Sequence, residues 1–556
     1  MNDTVLITFL GGLGDIGRNC AAIESKNQIL LLDCGQLFPD EMMPGAQSVL
    51  PDFSYLEERS EKIVGCIATH GHEDHIGALR YALDICEFPI YGSAFTLGMI
   101  RHRLGEANML HKTDLVEVDD GEMISIGDFH CEFLPVTHST PKGLISAIRT
   151  PQGLILHSSD FKLDNNPVDG RITDLDRITA LSKDPGIRLL LCDSTNAELR
   201  GSSISESEVG DELEKIFMKF QQERIITTCF SSHIHRIQQI IDISKKQGRK
   251  VATLGFSMER NISLARSLGV LSVAEDDLVD ISEIETYPKN EICVISTGSQ
   301  GEPRSSLNLS SQNSGKWLRI DEHDVIIFSS RTIPGNEKRV ARLINNLVSL
   351  GASVVHDENL NTHTSGHGQR EELSELHQAA KPEWFVPVHG ELRHLVAHRE
   401  LAIEVGTSSE NALLATDGDQ VVMEDSGLTL NRKKCQGHYI FSQGSIVETR
   451  HDLFKDRKIL GKEGCVIARV SISEKDKILL GAPSVISKGW LSADISGLYE
   501  QEIEDRLSFE LELLLKSRKE ITQEVLEQKV RRVTGSMVND STKRRPMIIP
   551  MVDILS

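Results

Sequence analysis

Between Val5 and about Thr195 the chain alternates short apolar runs with turn residues and helical stretches. VLITFL, QILLLD, KIVGCIATH, LILHSSD and LLLCDST have the length and composition of strands. The last four end in small or polar residues, and strand ends are where α/β folds place their chemistry. From about Gly201 to Asn361 a second α/β pattern follows, in which RIITTCF, KVATLGF, EICVIST and DVIIFSS alternate with helical segments such as HRIQQIIDISKKQG and GNEKRVARLINNLVSLG. Short strands return from about His363 to Leu453, EWFVPVHG among them. Beyond a boundary near Leu460, GCVIARVSI and KILLGAPSVI read as strands. One long charged amphipathic helix follows, from about Leu498 to Val533, and then the basic segment STKRRP. A small C-terminal α/β module is the expectation.

Gly12-Leu13-Gly14-Asp15-Ile16-Gly17 follows the first strand and fits GxGxxG, with an acidic residue, Asp33, further on. A dinucleotide site needs a crossover helix after the glycines. RNCAAIESKNQILLL leaves no room for one, so the glycines read as the tight turns of a hairpin.

Composition narrows the function classes. Of the 556 residues, 39% are hydrophobic and 26% charged, the balance of a folded globular chain. No apolar run approaches the about 18 residues of a membrane span, and the start lacks the basic n-region of a cleaved signal. Ten cysteines are scattered without a CxxC pair, several inside apolar runs such as IVGCIA and EICVIS. That pattern predicts reduced, buried thiols and a cytoplasmic location. Sixty Lys+Arg against 82 Asp+Glu leave a net charge of −22, a field that repels polyanions at long range. A polyanionic substrate therefore requires a locally positive site. The basic clusters Arg432-Lys433-Lys434 and Lys543-Arg544-Arg545 read as solvated surface, with an RNA-backbone contact as the alternative.

The strongest chemical signal is His70-Gly71-His72-Glu73-Asp74-His75, between a predicted strand and a predicted helix. Strand alternation points His70 and His72 alike, while Asp74 and His75 project from the first helical turn. Closely spaced N and O donors suit zinc, and two such pairs suit two ions. The single-zinc HExxH pattern does not apply, because its second histidine falls on Ile76. Three further donors sit at strand ends: His138 in LPVTHSTPKG, Asp160 in LILHSSDFKLD and His389 in EWFVPVHGE.

HxHxDH followed by a downstream His, an Asp and a final His resembles the metallo-β-lactamase superfamily. The long interval from Asp160 to His389, which contains the whole second α/β pattern, is similar to the cap insertion of the β-CASP nucleases. LGGLGDIGRN, LDCGQLFPD, MPGAQSVLPDFSYL, THGHEDHIGA, DFKLDNNPVDG, CDSTNAE, HRIQQII, STGSQGEP, IPGNEK, HTSGHG, PVHGE and KRRPMIIP resemble the ribonuclease J group in particular. The resemblance implies an α/β fold: a metallo-β-lactamase αββα sandwich with an inserted β-CASP α/β domain and a small C-terminal α/β domain. The implied ranges are 1–200 and 363–453 for the two parts of the lactamase domain, 201–362 for the β-CASP domain, and 454–556 for a linker and C-terminal domain.

By position, the resemblance implies that His70, His72 and His138 hold one zinc. Asp74, His75, Asp160 and His389 hold a second, with Asp160 bridging, and manganese is the alternative metal. Asp33 would orient ligands. Asp193, His367 and His389 match the three β-CASP motifs. His363, Thr364, Ser365, Gly366 and His367 match the segment that grips substrate phosphate, and Ser232 and His233 match the wall of the 5′-phosphate pocket. Ser159 stands where glycine is usual, Lys142 near where an acidic residue is frequent, and His233 where asparagine is common. The implied activity is hydrolysis of RNA phosphodiesters by a hydroxide bridging two metal ions, with His367, Asp74 and Asp193 in catalytic roles. Both endonucleolytic and 5′-to-3′ exonucleolytic cutting are implied, in RNA maturation and decay. The implied partners are single-stranded RNA, preferably 5′-monophosphorylated, and further copies of the chain as dimers or tetramers, with no membrane. The alternatives are a metallo-hydrolase of a small thioester, lactone or phosphodiester, and a scaffold with a vestigial site.

Overall fold

A computed structural model describes residues 4–39, 43–333, 335–356, 360–435, 440–444, 446–448, 451–516 and 522–555. Asp40 and Pro334, within the quoted motifs, lie outside them. The chain divides into two compact units, one of Met1–Phe38 with Ser48–Ile440 and one of Pro39–Gln47 with Phe441–Ser556.

In the first unit two sheets stack face to face. An eight-stranded sheet runs in the order Gly427–Asn431, Gln420–Glu424, Val5–Gly11, Cys20–Ser25, Gln28–Leu32, Ile63–Ile67, Ile90–Gly92 and Leu115–Glu117. A six-stranded sheet runs Trp384–Val388, Ile187–Asp193, Gly153–His157, Leu144–Thr150, Phe129–Pro135 and Met123–Ile126. Val5, Ile7, Phe9, Leu30 and Leu32 from the first meet Phe133, Ile148, Ile155, Leu189 and Leu191 from the second in one apolar core. The opposite faces are covered by helices. Leu79, Leu83 and Ile100 pack over Leu31 and Cys66, and Leu373, Leu376 and Leu401 pack over Leu156 and Leu190. Burial on both faces is why these strands read as nearly unbroken apolar runs.

Strands Ile187–Asp193 and Trp384–Val388 are parallel neighbours, with Asp193 opposite Val388. The chain thus leaves the sheet at Asp193, builds another α/β layer, and returns beside its point of departure. That layer is a five-stranded parallel sheet in the order Lys250–Leu254, Ile292–Ser296, Arg224–Thr228, Asp324–Phe328 and Ser353–Val355. Its helices include Glu206–Lys219, entered through a Ser205/Glu208 capping box, and the strongly amphipathic Glu337–Ser349. The fold is a lactamase-type sandwich carrying a β-CASP-type insertion.

The glycine-rich turn is a hairpin, since Cys20–Ser25 returns antiparallel to Val5–Gly11 with Ala22 opposite Thr8. Gly12 has φ +94°, and a Cβ there would lie 2.4 Å from Asn19 Oδ1.

The second unit takes in helix His451–Glu463, and Phe454 packs against Phe441 with ring centroids 4.5 Å apart. It departs from expectation in two respects. The single long helix is two, Ala493–Leu515 and Gln523–Thr542, the second opened by Thr522, whose hydroxyl accepts from Val525 N–H. A single helix from Leu498 to Val533 would run roughly 50 Å, beyond the roughly 30 Å of the nine-residue strand it must cover. Folding back lets Leu507 and Leu511 share one core with Leu526 and Val530. Finally, KILLGAPSVI bends at Gly481 (φ +93°) into Ile478–Leu479 and Ser484–Lys488, and the segment after KRRP forms strand Met547–Leu555, parallel to Cys465–Ser473.

Candidate metal centre

The sandwich brings all seven predicted donors to one end of its two sheets. His70 follows strand Ile63–Ile67, and His72 caps the short helix Glu73–Ile76 that carries Asp74 and His75. His138, Asp160 and His389 follow strands Phe129–Pro135, Gly153–His157 and Trp384–Val388. His389, Ser159 and Asp33 take φ of +52°, +56° and +58°, so the chain turns sharply as it leaves two of these strands and the neighbouring strand Gln28–Leu32. For a non-glycine residue that conformation costs about 1–2 kcal/mol. At Ser159 it explains why glycine is the easier residue.

The donors form two sets that share Asp160. In the first, His72 Nδ1 lies 3.1 Å from both His70 Nε2 and His138 Nε2, and Asp160 Oδ2 lies 3.5 Å from His70 Nε2. In the second, His75 Nε2 is 3.2 Å from Asp160 Oδ2 and 3.6 Å from Asp74 Oδ2. His389 Nδ1 is 2.9 Å from Asp160 Oδ1, and its Nε2 is 3.3 Å from Asp74 Oδ2. Within each set the donor atoms all lie within 4.8 Å of one another. Donors around a tetrahedral ion with bonds of about 2.0 Å stand about 3.3 Å apart, so the spacing fits metal ligands. His389 Nε2 is buried without a hydrogen-bond partner, as expected of a nitrogen kept for an ion.

Outer partners fix the ring orientations. Asp33, 1% exposed, accepts from Thr69 N–H (2.8 Å), Thr69 Oγ1 (2.9 Å) and His75 Nδ1 (2.8 Å). His138 Nδ1 donates to the Gly366 carbonyl at 2.7 Å, leaving Nε2 as the lone pair facing the cluster. Burial holds His70 and His138 well below the usual histidine range and brings His72 to about 4, so these three rings offer neutral nitrogen ligands. At His75 and His389 burial acts in the same direction, but Asp160 and the neighbouring carboxylates outweigh it and hold both imidazoles well above that range. The carboxyl of Asp160, despite burial, is held well below its usual range by His389 and His75.

His367 faces the cluster from the other side. Its Nδ1 donates to Asp193 Oδ2 at 2.7 Å, and its Nε2 stands 4.0 Å from Asp160 Oδ2. Burial disfavours its charged form, yet Asp193 and Asp160 raise the imidazole above the usual histidine value. Thr195 N–H (2.9 Å) and Oγ1 (2.8 Å) hold the other Asp193 oxygen. Asn196 Nδ2 donates to Ser365 Oγ at 2.8 Å and to the His367 carbonyl at 2.9 Å. Thr364 Oγ1 donates to the Ile204 carbonyl, and His363 Nδ1 is buried without a partner.

One expected substrate contact is not available. His233 is 1% exposed, its Nε2 lies 3.1 Å from Glu206 Oε1, and its Nδ1 accepts from Arg236 N–H. Both ring nitrogens are committed to the helix N-terminus and a buried ion pair, whereas Ser232 is partly exposed. Sequence reasoning assigned no role to Asn19, whose Nδ2 lies 3.1 Å from both the Asp74 carbonyl and His75 Nε2. Its only sequence signal was its place at the end of LGGLGDIGRN.

Four family models match the chain. A beta-lactamase superfamily domain covers residues 30–164, the beta-CASP domain of ribonuclease J covers 222–347, a Zn-dependent metallo-hydrolase RNA specificity domain covers 358–413, and the ribonuclease J C-terminal domain covers 453–553. Ribonuclease J of Mycobacterium tuberculosis is 38% identical over 548 residues, 98% of this chain and 96% of that protein. Ribonuclease J of Helicobacter pylori is 36% identical over 517 residues, 92% of this chain and 74% of that protein. Ribonuclease J 2 of Staphylococcus aureus is 33% identical over 551 residues, 99% of this chain and 98% of that protein. Among solved structures, a protein of unknown function from Enterococcus faecalis superposes with a TM-score of 0.53 at 15% identity, covering 75% of this chain and 100% of that one. With such identity along almost its whole length, and with the four domain models matching it, the chain belongs to the ribonuclease J family.

Proposed function

We propose that the chain hydrolyses RNA phosphodiesters around two metal ions held side by side, cutting internally and trimming from the 5′ end. Family membership makes it a metal-dependent ribonuclease of RNA processing. The observation that carries the two-ion reading is Asp160, whose two oxygens reach both donor sets while His367 faces it from the cap side. In this reading His70, His72 and His138 hold one ion and Asp74, His75 and His389 the other, both zinc or, alternatively, manganese. Such a pair supplies Lewis acidity and brings the pKa of a water from about 15.7 towards about 7.

The chain's own groups do the rest. Asp33 and the Gly366 carbonyl keep the His75 and His138 rings aimed. Asp193 stays a carboxylate that accepts from His367 Nδ1–H and favours the imidazolium, whose second proton, on Nε2, is directed at the cluster. As water attacks phosphorus and the bond to the 3′-oxygen breaks, that oxygen receives the Nε2 proton. The products are a 5′-phosphate and a 3′-hydroxyl. His363 to Gly366, with Ser232, would contact the phosphate of a 5′-monophosphorylated strand. A cytoplasmic enzyme working as a dimer or tetramer completes the reading.

Incubation of the metal-loaded protein with 5′-monophosphorylated single-stranded RNA is expected to release 5′-phosphate, 3′-hydroxyl fragments. The His72→Ala, Asp74→Ala double variant is expected to release none. Equal cleavage by that variant would assign the activity to a contaminant.

A further inference from the structure

Behind the site, three buried polar side chains meet in an otherwise apolar core. Ser194 and His398 are 0% exposed and His377 is 3% exposed, and both rings pack edge-on to Phe385 at centroid distances of 4.8 Å and 4.6 Å. Ser194 Oγ is 2.9 Å from His398 Nδ1, and His398 Nε2 is 3.2 Å from His377 Nε2.

The protons can be placed by elimination. Ser194 Oγ–H donates to the Cys192 carbonyl at 3.2 Å, so its oxygen accepts from His398 Nδ1–H. Burial keeps both rings below the usual histidine value, hence neutral, so His398 Nε2 is bare and accepts from His377 Nε2–H. His377 Nδ1 is then left without a partner, as observed. An unpartnered buried nitrogen costs about 1–3 kcal/mol, so the chain of bonds is not what apolar packing alone would select.

Its anchors explain its use. Ser194 follows Asp193 directly, and its N–H donates to the His389 carbonyl at 3.3 Å. His377 lies on helix Arg370–Ala380, which begins just after His367, and His398 lies on helix Leu392–Glu404, which begins just after His389. The three segments that deliver Asp193, His367 and His389 are therefore tied together at one internal point. We infer that the Ser194–His398–His377 chain is a positioning device that keeps the Asp193–His367 pair in register with the metal donors.

The inference rests on the ribonuclease reading. A wild-type chain that does not cleave 5′-monophosphorylated RNA removes both. With an active wild type, His398→Leu is expected to lower kcat about 10- to 100-fold, with KM and metal content changed less than about twofold. His398→Asn, which keeps a side-chain N–H towards Ser194, is expected to recover most of that loss. In an Asp193→Asn background His398→Leu is expected to cost little more, because the orientation it supports is already gone. Ser194→Ala removes one oxygen and provides the same test if His398→Leu fails to fold. An unchanged kcat in the folded variants, or the full loss repeated in the Asp193→Asn background, overturns the inference.

Discussion

At the scale of single residues the site depends on which atom carries a proton. Asp193 and His367 are joined by one 2.7 Å bond, and that bond directs the other ring nitrogen at the donor cluster. In Asp193→Asn the side chain keeps its shape but loses the charge that raises His367 and fixes its tautomer. We expect kcat to fall about 10²- to 10⁴-fold with metal content unchanged, measured by single-turnover cleavage beside metal analysis. A loss of metal would instead make Asp193 a ligand, which its position near Asp160, His367 and His389 also permits geometrically. Much at this scale was legible in the sequence. HGHEDH packs its donors into one turn, and His138, Asp160 and His389 each follow an apolar run. What was not legible depends on contacts across long separations. His233 was expected in the wall of the 5′-phosphate pocket, but Glu206 and Arg236 enclose it, and nothing near His377 or His398 in sequence announces their shared proton.

At the scale of elements, strands that end in left-handed residues, with loops pressed against them, set the geometry. Gly366 shows how little room there is, since a Cβ would lie 2.7 Å from His138 Cε1. Gly366→Ala should therefore push the His138 ring away from His72 and weaken ion binding about 10- to 100-fold, the range for lost support of a metal ligand. Titration with a competing chelator measures this, and unaltered affinity would mean the loop yields instead. The strands themselves were readable, because double-sided burial writes long apolar runs into them. The hairpin of the C-terminal helices was not. The charged face continues through the break, and only the shared core of Leu507, Leu511, Leu526 and Val530 requires the chain to turn back.

At the scale of the whole molecule, a chain of net charge −22 must bind a polyanion through local positive charge. Metal ions in a carboxylate–imidazole cluster supply such charge, so RNA affinity should fall steeply with salt. It should fall further when the metal is removed. Binding of uncleavable RNA, followed against salt concentration with and without chelator, checks both, and equal affinity for metal-free and metal-loaded protein would place the binding energy elsewhere. The strands on either side of the insertion, Ile187–Asp193 and Trp384–Val388, run parallel as neighbours and so bring Asp193 and His389 to the same sheet end.

The account stands on one carboxylate serving two ions. Elemental analysis of the purified chain and of Asp160→Ala tests this most directly. Two equivalents of zinc or manganese per wild-type chain, and fewer than one in the variant, are predicted. A single equivalent in the wild type, or a full pair retained without Asp160, would contradict it.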